Sequence, residues 1–307
     1  MSEIQNNTGK SVGVEAAAAN FTAVLLDSGE MLTNSYSQPV DTGRPVMEQL
    51  VEFVGQLPGQ LGEFDRIGIA VPGLIRRETS QVAYSAHIPE HSDINIAAHL
   101  RAETGLSAIV ENDANAAAYG EFRLGAGRGS DNLFYATLGR GIGGALILNG
   151  KIWHGASGFA GEFGYIAVNS DGLRLEDVAS ADNIVRRTRS RFNRDSTSSL
   201  NRLQEQAILL GDIISAAENG DDFARLMLER TGSYVGTALA SVINLLNLEK
   251  IVLGGAIMHA GHLVLDAVIH SARELSFAPS FENTQIVSGT LGEKAAAVGA
   301  ALLSNEN

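Results

Sequence analysis

The sequence predicts an α/β protein made of two similar lobes, each with a mixed sheet opened by an antiparallel hairpin. A strand–turn–strand pattern occupies residues 11–30 and returns at residues 132–152. Apolar runs typical of buried strands, such as "RIGIAVPGLI" and "KIVLGGAIM", alternate with segments of helical spacing,. The length of 307 residues favours two domains of about 120–180 residues over a single core,.

In the first half of the chain, turn and capping residues delimit the elements. Residues 1–10 are expected to form a disordered lead, and a helix is expected over residues 44–57. The segment "INIAAHLRAETG" predicts a short helix that ends at Gly105,. A strand then leads into an alanine-rich helix, for which Asn112 or Asp113 is the expected N-cap,.

The second half begins with the repeated hairpin and continues mostly as helix. Asn149-Gly150 predicts a further hairpin turn,. Residues 173–246 are expected to be helical around a polar loop, "TRSRFNRDSTSS". We expect "KIVLGGAIM" to be a buried strand interrupted by two glycines, and "EKAAAVGAALL" to be the final helix, returning to the first lobe,.

Composition excludes several classes of protein. The net charge of −13 argues against nucleic acid or an anionic membrane as the main partner, because both require clustered Lys and Arg,. The chain has no cysteine, which excludes disulfides, thiolate metal sites and cysteine nucleophiles,. The first ten residues are polar and the chain contains no long apolar run, so we expect a cytoplasmic protein,.

Three stretches carry a resemblance to a known family: "VENDANAAAYGE", "TLGRGIGGALILNGKIWHGASGFAGEFGY" and "IVLGGAI". They resemble the ROK family (repressors, open reading frames, sugar kinases), which contains bacterial glucokinases. The resemblance implies an actin/hexokinase-like fold of two RNase H-like α/β domains, with a hexose in the cleft between the lobes, ATP beside it, and a homodimer. We assign residues 11–122 and 290–307 to the N-terminal lobe and residues 123–289 to the C-terminal lobe. Only about ten residues precede the first hairpin, so we expect no DNA-binding segment.

On the sugar side, the resemblance makes Asp113 the general base and Asn112, Glu162, Glu176 and Gly73 binding residues. A carboxylate within hydrogen-bond reach of a sugar hydroxyl can take its proton as the phosphoryl group transfers. The amide of Asn112 can donate to one hydroxyl and accept from another. The alternatives are that Asp113 only caps a helix and that Glu162 is a solvated loop acid.

Two positions on the sugar side depart from the family pattern. Tyr165 stands where the family has a histidine that binds both sugar and a structural zinc, and the loop with the zinc cysteines is missing. We therefore expect no zinc and no protein-bound metal site. Tyr165 either contacts the sugar or fills the vacated space. His87, in "AHIPEHS", takes the place of a sugar-side asparagine and is either a ligand or a surface residue.

The phosphate loops depart further. The opening family motif D-x-G-G-T-K reads Glu15-Ala16-Ala17-Ala18-Ala19-Asn20 here, and Arg140 replaces a threonine of the second loop. Glycine lets backbone N–H groups approach phosphate closely, in some loops with a positive φ that disfavours a Cβ atom. We therefore expect the alanine turn to take a different path or to hold phosphate farther away. The nucleotide-side positions by resemblance are Glu15, Ala17, Ala18, Gly139, Arg140, Gly141, Gly143, Gly144, Gly254 and Gly255.

These residues are compatible with two functions. A third alternative is a purely structural dimer without a ligand. The first is a sugar kinase that uses Mg-ATP and a hexose, with Arg140 supplying positive charge to the transferred phosphoryl group. The second is a sugar-binding protein that has lost phosphoryl transfer, with Arg140 paired to Glu15. Such a protein would be a regulator, or an enzyme that uses Asp113 for another sugar reaction.

Overall fold

The computed structural model describes residues 9–28, 31–86 and 88–306, and its contacts divide the chain into two compact units. Unit 1 is Met1–Gly129, Ala145–Ala160 and Thr290–Asn307, and unit 2 is Ser130–Gly144 and Gly161–Gly289. The lobe boundaries drawn from the sequence stay a prediction. In the described ranges, helices of the length and apolarity needed to cross a membrane are absent.

The strands form two five-stranded sheets and a separate hairpin. In chain order they are β1 (Ser11–Ala16), β2 (Asn20–Asp27), β3 (Met31–Pro39), β4 (Arg66–Val71), β5 (Leu74–Arg76), β6 (Gln81–Tyr84), β7 (Ala108–Asn112), β8 (Leu133–Leu138), β9 (Ile142–Leu148), β10 (Lys151–Ile152), β11 (Lys250–Gly254) and β12 (Gln285–Ser288). The first sheet has the order β3-β2-β1-β4-β7, the second has the order β10-β9-β8-β11-β12, and β5 pairs with β6.

The α-helices lie between groups of strands and, in one long stretch of the second half, follow one another. They are α1 (Val46–Leu61), α2 (Ile96–Thr104), α3 (Asp113–Leu124), α4 (Leu175–Ala179), α5 (Ala181–Arg189), α6 (Leu210–Glu218), α7 (Asp222–Leu246), α8 (His262–Leu275), α9 (Ala278–Glu282) and α10 (Ala295–Leu303). The short helix α2 ends at Gly105, whose φ of +76° is left-handed as a C-cap requires,. Asn112 is the N-cap of α3, since its side chain accepts from the backbone N–H of Asn115,.

In unit 1, the period of two along β1 places successive residues on opposite faces of the sheet, and both faces are covered,. Val12 and Val14 are buried in the core that α1 and α2 complete. The alternate residue Gly13 lies against the backbone of α10, which also packs on α3. Because β1 pairs antiparallel with β2 and parallel with β4, the sheet is mixed, as predicted.

In unit 2, β11 lies between β8 and β12 and is parallel to both. The long helix α7 packs along α8, as a buried helix pair. The strand predicted in "KIVLGGAIM" is interrupted at its glycines as expected: β11 ends at Gly254, and residues 256–260 form a 3-10 helix. The reason is that Gly255 turns the chain with a φ of +88°,.

Two sequence predictions concern turns and termini. Asn149 and Gly150 make the predicted hairpin turn, with φ values of +53° and +73°,. Most of the predicted disordered lead, residues 1–8, lies outside the described residues. Lys10 is described: its N–H donates to the carboxylate of Asp65, and its carbonyl accepts from the Asp65 N–H.

Candidate functional site

In unit 1, Asn112 and Asp113 stand where β7 passes into α3. The Asn112 side chain donates to the Gly73 carbonyl at 2.9 Å and to Asp113 Oδ1 at 3.1 Å. Its own Oδ1 accepts from the Asn115 N–H at 3.1 Å. Both amide protons of Asn112 are therefore used within the protein, and one lone pair of Oδ1 is left for a ligand. Asn112 thus holds Asp113 as well as capping the helix, whereas its predicted contact with a sugar stays a prediction.

Behind this pair lies a second acid, Glu111, which the sequence analysis did not single out. Its Oε2 is 2.8 Å from His154 Nε2, and its Oε1 accepts from the Asn112 N–H and from the Asn115 side chain. Burial raises the pKa of Glu111, but the hydrogen bonds from His154, Asn115 and Asn112 outweigh burial and bring it below the usual value,. An ionised Glu111 therefore braces the backbone that carries Asp113.

Glu15, at the end of β1, has the most perturbed carboxyl group of unit 1. Burial raises its pKa from 4.5 to about 8, with further contributions from the negative charges of Asp113 and Glu293,. Asp113 on α3 and Glu293 before α10 are thus near enough for their charges to act on Glu15. The Glu15 carboxyl therefore favours its protonated form at neutral pH.

The alanine turn connects β1 to β2 in an ordinary backbone conformation. Residues 16–19 all lie in the described part, and none of them has a positive φ. Glu15 pairs with Thr22 and Ala16 with Phe21, so the register closes tightly around the turn. Ala17 and Ala18 are half-buried and Ala19 is exposed. The turn therefore avoids a left-handed backbone, as expected for alanine.

In unit 2, Glu162 and Glu176 form a pair of neighbouring carboxyl groups. Glu162 precedes a 3-10 helix over Phe163–Tyr165, and Glu176 lies in the first turn of α4. Glu176 Oε2 accepts from the Ile142 N–H at 2.8 Å, at the start of β9. Burial and the charge of Glu176 raise the pKa of Glu162,. The pair thus offers carboxylate acceptors at the end of the second hairpin turn.

Tyr165 and His87 are the two sugar-side positions that differ from the family pattern, and the structure describes only Tyr165. Tyr165 is 57% exposed, and the Arg174 guanidinium lies 4.4 Å from its ring centroid, a cation–π contact,. The ring therefore already packs against a side chain of its own unit, while its contact with a sugar stays a prediction. His87 lies outside the described residues. The described ranges contain no cluster of three His, Cys, Asp or Glu side chains suited to a metal ion.

The second phosphate-loop position, residues 139–141, is a short turn between β8 and β9. The Gly139 N–H donates to the Gly141 carbonyl, and the Gly139 carbonyl accepts from the Ala181 N–H at the start of α5. Arg140 at the tip is exposed. Glu15 and Arg140 belong to different units, and their pairing stays a prediction.

The remaining glycines predicted to face the nucleotide also have packing roles within unit 2. A Cβ atom on Gly144 would lie 2.6 Å from Phe134 Cζ, and one on Gly255 would lie 2.5 Å from the Leu138 carbonyl oxygen. A Cβ atom on Gly254 would overlap the Tyr135 side chain still more closely. Close packing alone therefore explains why these positions are glycine. The predicted contacts of these glycines and of Gly143 with a nucleotide stay predictions.

Sequence reasoning missed the residues that support the predicted site. Glu121 is buried and accepts from the backbone N–H groups of Ala126 and Leu291, both at 2.8 Å, and of Thr290 at 3.1 Å. It thereby fixes the turn that carries Glu293. Glu111 and Glu121 both lie within the quoted "VENDANAAAYGE", so two extra acids in an alanine-rich motif were the available signal.

Comparisons with known proteins agree with this geometry. The model of the ROK family matches residues 11–307. The glucokinase of Halalkalibacterium halodurans is 34% identical over 244 residues, which cover 76% of this chain and 74% of that protein. The xylose repressor of Bacillus subtilis is 26% identical over 299 residues, covering 95% of this chain and 76% of the repressor.

A solved structure extends the similarity to three dimensions. A ROK family glucokinase from Streptomyces griseus, in complex with glucose and AMPPNP, is 29% identical with a TM-score of 0.86. The alignment covers 97% of this chain and 100% of that one. The chain therefore belongs to the ROK family and has its actin/hexokinase-like two-domain fold.

Proposed function

We propose that this protein is a sugar kinase that transfers a phosphoryl group from ATP to a hexose, with Asp113 as the general base. The observation that carries the proposal is the fixed position of Asp113 beside the Glu15 carboxyl group. Asp113 is held by the Asn112 side chain and the Ala114 N–H, at 3.1 and 2.9 Å. A base held in this way can accept the proton of a sugar hydroxyl without first reorganising.

The sugar contacts follow from the two sets of polar groups. In unit 1, we assign one hydroxyl to Asp113 and a second to the remaining lone pair of Asn112 Oδ1. In unit 2, Glu162 and Glu176 are carboxylate acceptors for further hydroxyls, and Tyr165 offers a ring face. His87 and the Gly73 backbone belong to the same proposal, as does the homodimer.

The donor set near Asp113 suits Mg-ATP. Magnesium is held in many kinases by one or two carboxylates together with substrate phosphates, so a complete protein cage is unnecessary. Glu15 is the residue that would hold the ion, because a cation would favour the ionised carboxylate against its burial and the neighbouring negative charges,. When bound, Mg-ATP supplies the phosphoryl group. Arg140 is exposed and carries a positive charge suited to that group,.

The test compares the wild type with Asp113→Asn in two measurements, hexose-dependent ADP formation with Mg-ATP and calorimetric binding of glucose. We expect turnover to fall by about 10²–10⁴-fold, because the amide cannot take a proton. Glucose affinity should change by only about 1–2 kcal/mol, because the amide keeps its hydrogen-bonding shape. Glu162→Ala is the matched change in unit 2 and should weaken glucose binding itself. Full turnover by Asp113→Asn would show that another group is the base.

A second candidate function is a sugar-binding protein without phosphoryl transfer. It is favoured by the methyl groups of residues 16–19 and by the protonated Glu15 beside them. If the wild type binds glucose but neither binds nor uses Mg-ATP, this function replaces the kinase. The combined variant Glu15→Asp, Ala17→Gly, Ala18→Gly, Ala19→Thr and Arg140→Thr should then create ATP-dependent phosphorylation.

A further inference from the structure

Basic residues are concentrated in one segment of unit 2. Residues 186–194 contain five arginines, in a chain with only 22 Lys and Arg and a net charge of −13. The segment comprises the end of α5 and the turn after it. None of these arginines takes part in the sugar and phosphate chemistry argued above.

Two of the five arginines are used within the protein. Arg186 donates to the Asn183 side chain and to the Asp177 carbonyl. Arg189 donates to the carbonyls of Gln206 and Ile208. These two guanidinium groups have structural acceptors, and they leave Arg187, Arg191 and Arg194 to be explained.

Arg187 points from α5 toward α7 and is incompletely paired. Its Nη2 donates to Thr231 Oγ1 at 2.7 Å, and its Cζ lies 5.8 Å from the Tyr234 ring centroid. Its Nε is buried and has no hydrogen-bond partner among the described residues. The ion pairs found in the described ranges do not include Arg187. A buried guanidinium nitrogen without an acceptor costs free energy, so the fold pairs Arg187 only incompletely.

Further positive charges surround Arg187. Burial lowers the pKa of Arg187, the nearby Tyr234 opposes this, and the charges of Arg191, Arg230 and Arg186 lower it further. Arg191 and Arg230 are both exposed, one after α5 and one on α7. We call Arg187, Arg191 and Arg230 the arginine cluster. Its members repel one another, so an anion between them would relieve the repulsion.

We propose that the arginine cluster is a binding site for the phosphate group of a small ligand. Guanidinium groups present several N–H donors in a planar fork that matches phosphate oxygens, and such charge-assisted bonds are strong. The free phosphate ion and a sugar phosphate share this chemistry. The proposal does not rest on the kinase function, since it uses none of the residues assigned to it.

The test titrates the full-length protein with inorganic phosphate and separately with glucose 6-phosphate, by calorimetry and at matched ionic strength in sodium chloride. We expect saturable binding of at least one probe; tighter binding of glucose 6-phosphate would identify a sugar phosphate as the ligand. The double variant Arg191→Gln, Arg230→Gln removes two exposed guanidinium groups and should fold normally. It should bind at least about tenfold more weakly, since it loses two charged hydrogen-bond donors.

The matched control is Arg194→Gln, which removes an exposed arginine from the same segment but none of the groups that act on Arg187. It should bind as the wild type does. If phosphate binding weakens equally in both variants, the loss of positive charge alone explains the effect and the proposal is wrong. The proposal is also wrong if the wild type shows no saturable binding of either probe. Loss of a dimer in the double variant, without phosphate binding by the wild type, would show instead that the cluster meets an acidic surface of a second copy.

Discussion

The two hairpin turns at the predicted phosphate positions differ in side chains more than in backbone. The turn between β1 and β2 carries alanines, and the turn between β8 and β9 carries Gly139, Arg140 and Gly141. The described residues of both turns lack a positive φ. The glycines of the second turn are therefore not required for a left-handed conformation, and the alanines of the first do not prevent the same kind of path.

The two turns differ in the charged side chains next to them and in the hydrogen bonds that fix them. The first turn follows Glu15, whose pKa burial raises to about 8. The second ends at Ile142, whose N–H is held by the carboxylate of Glu176, and presents the exposed Arg140. Four predictions separate these roles, ordered by the size of the expected effect.

An alanine substitution should destabilise the protein more at Gly13 in β1, before the first turn, than at Gly144 in β9, after the second turn. Gly13→Ala places a Cβ against the backbone of Ala297 in α10, which cannot move without shifting the helix. We expect it to lower the free energy of unfolding by about 3 kcal/mol or more, measured by urea denaturation. Gly144→Ala would meet the Phe134 ring at 2.6 Å and the Gly161 carbonyl oxygen at 3.0 Å, a smaller overlap than at Gly13, and should lose less. If both variants lose the same free energy of unfolding, the predicted difference between β1 and β9 is wrong.

Glu15, which leads into the first hairpin turn, should make the stability of the protein depend on pH. A folded chain keeps the Glu15 proton up to about pH 8, whereas an unfolded chain loses it near 4.5, so stability falls as pH rises through that window,. Replacing the residue in Glu15→Gln should flatten the slope by up to about 1.4 kcal/mol per pH unit. The variant should therefore be more stable than the wild type at pH 8.

The measurement for Glu15 is urea denaturation at a series of pH values. Glu63→Gln removes an exposed carboxylate from the same unit and serves as the control. If Glu15→Gln leaves the slope of stability against pH unchanged, the Glu15 carboxyl group ionises normally in the folded protein. Glu15 would then not be a neutral acid at the first turn.

The second hairpin should depend on Glu176. Glu176→Ala leaves the Ile142 N–H without its acceptor and should cost about 1–2 kcal/mol of stability, whereas Glu176→Gln keeps an acceptor and should lose less,. Both variants should lower the pKa of Glu162, because they remove a neighbouring negative charge. NMR titration of the Glu162 carboxyl carbon measures this, and an unchanged pKa would show that burial alone raises it.

The smallest structural effect is expected at the tip of the second turn. Arg140→Gln changes an exposed side chain and should alter the free energy of unfolding by less than about 0.5 kcal/mol,. If Arg140 serves phosphoryl transfer, kcat with Mg-ATP should fall while glucose affinity stays constant. A variant that loses stability but not kcat would give Arg140 a structural role.

Several site features could be predicted from sequence because they depend on local patterns. The Asn112 cap, the Gly105 C-cap and the Asn149-Gly150 turn each follow from residues adjacent in the chain,. The interruption at Gly254-Gly255 was predicted, but the 3-10 helix after it was not, because apolar side chains continue past the point where Gly255 turns the backbone. Periodicity reports which residues are apolar, and a single φ value decides where a strand stops.

The sequence alone determined the family and the two-domain fold class and predicted the acids of the candidate site, because these depend on motif order and local spacing. Tertiary structure alone decided which groups act on one another. Glu15 lies 98 positions before Asp113 in the numbering (113 − 15 = 98), yet their charges interact, and His154 contacts Glu111 across 43 positions. The energies of such contacts depend on separation in space and on burial, neither of which a linear pattern contains.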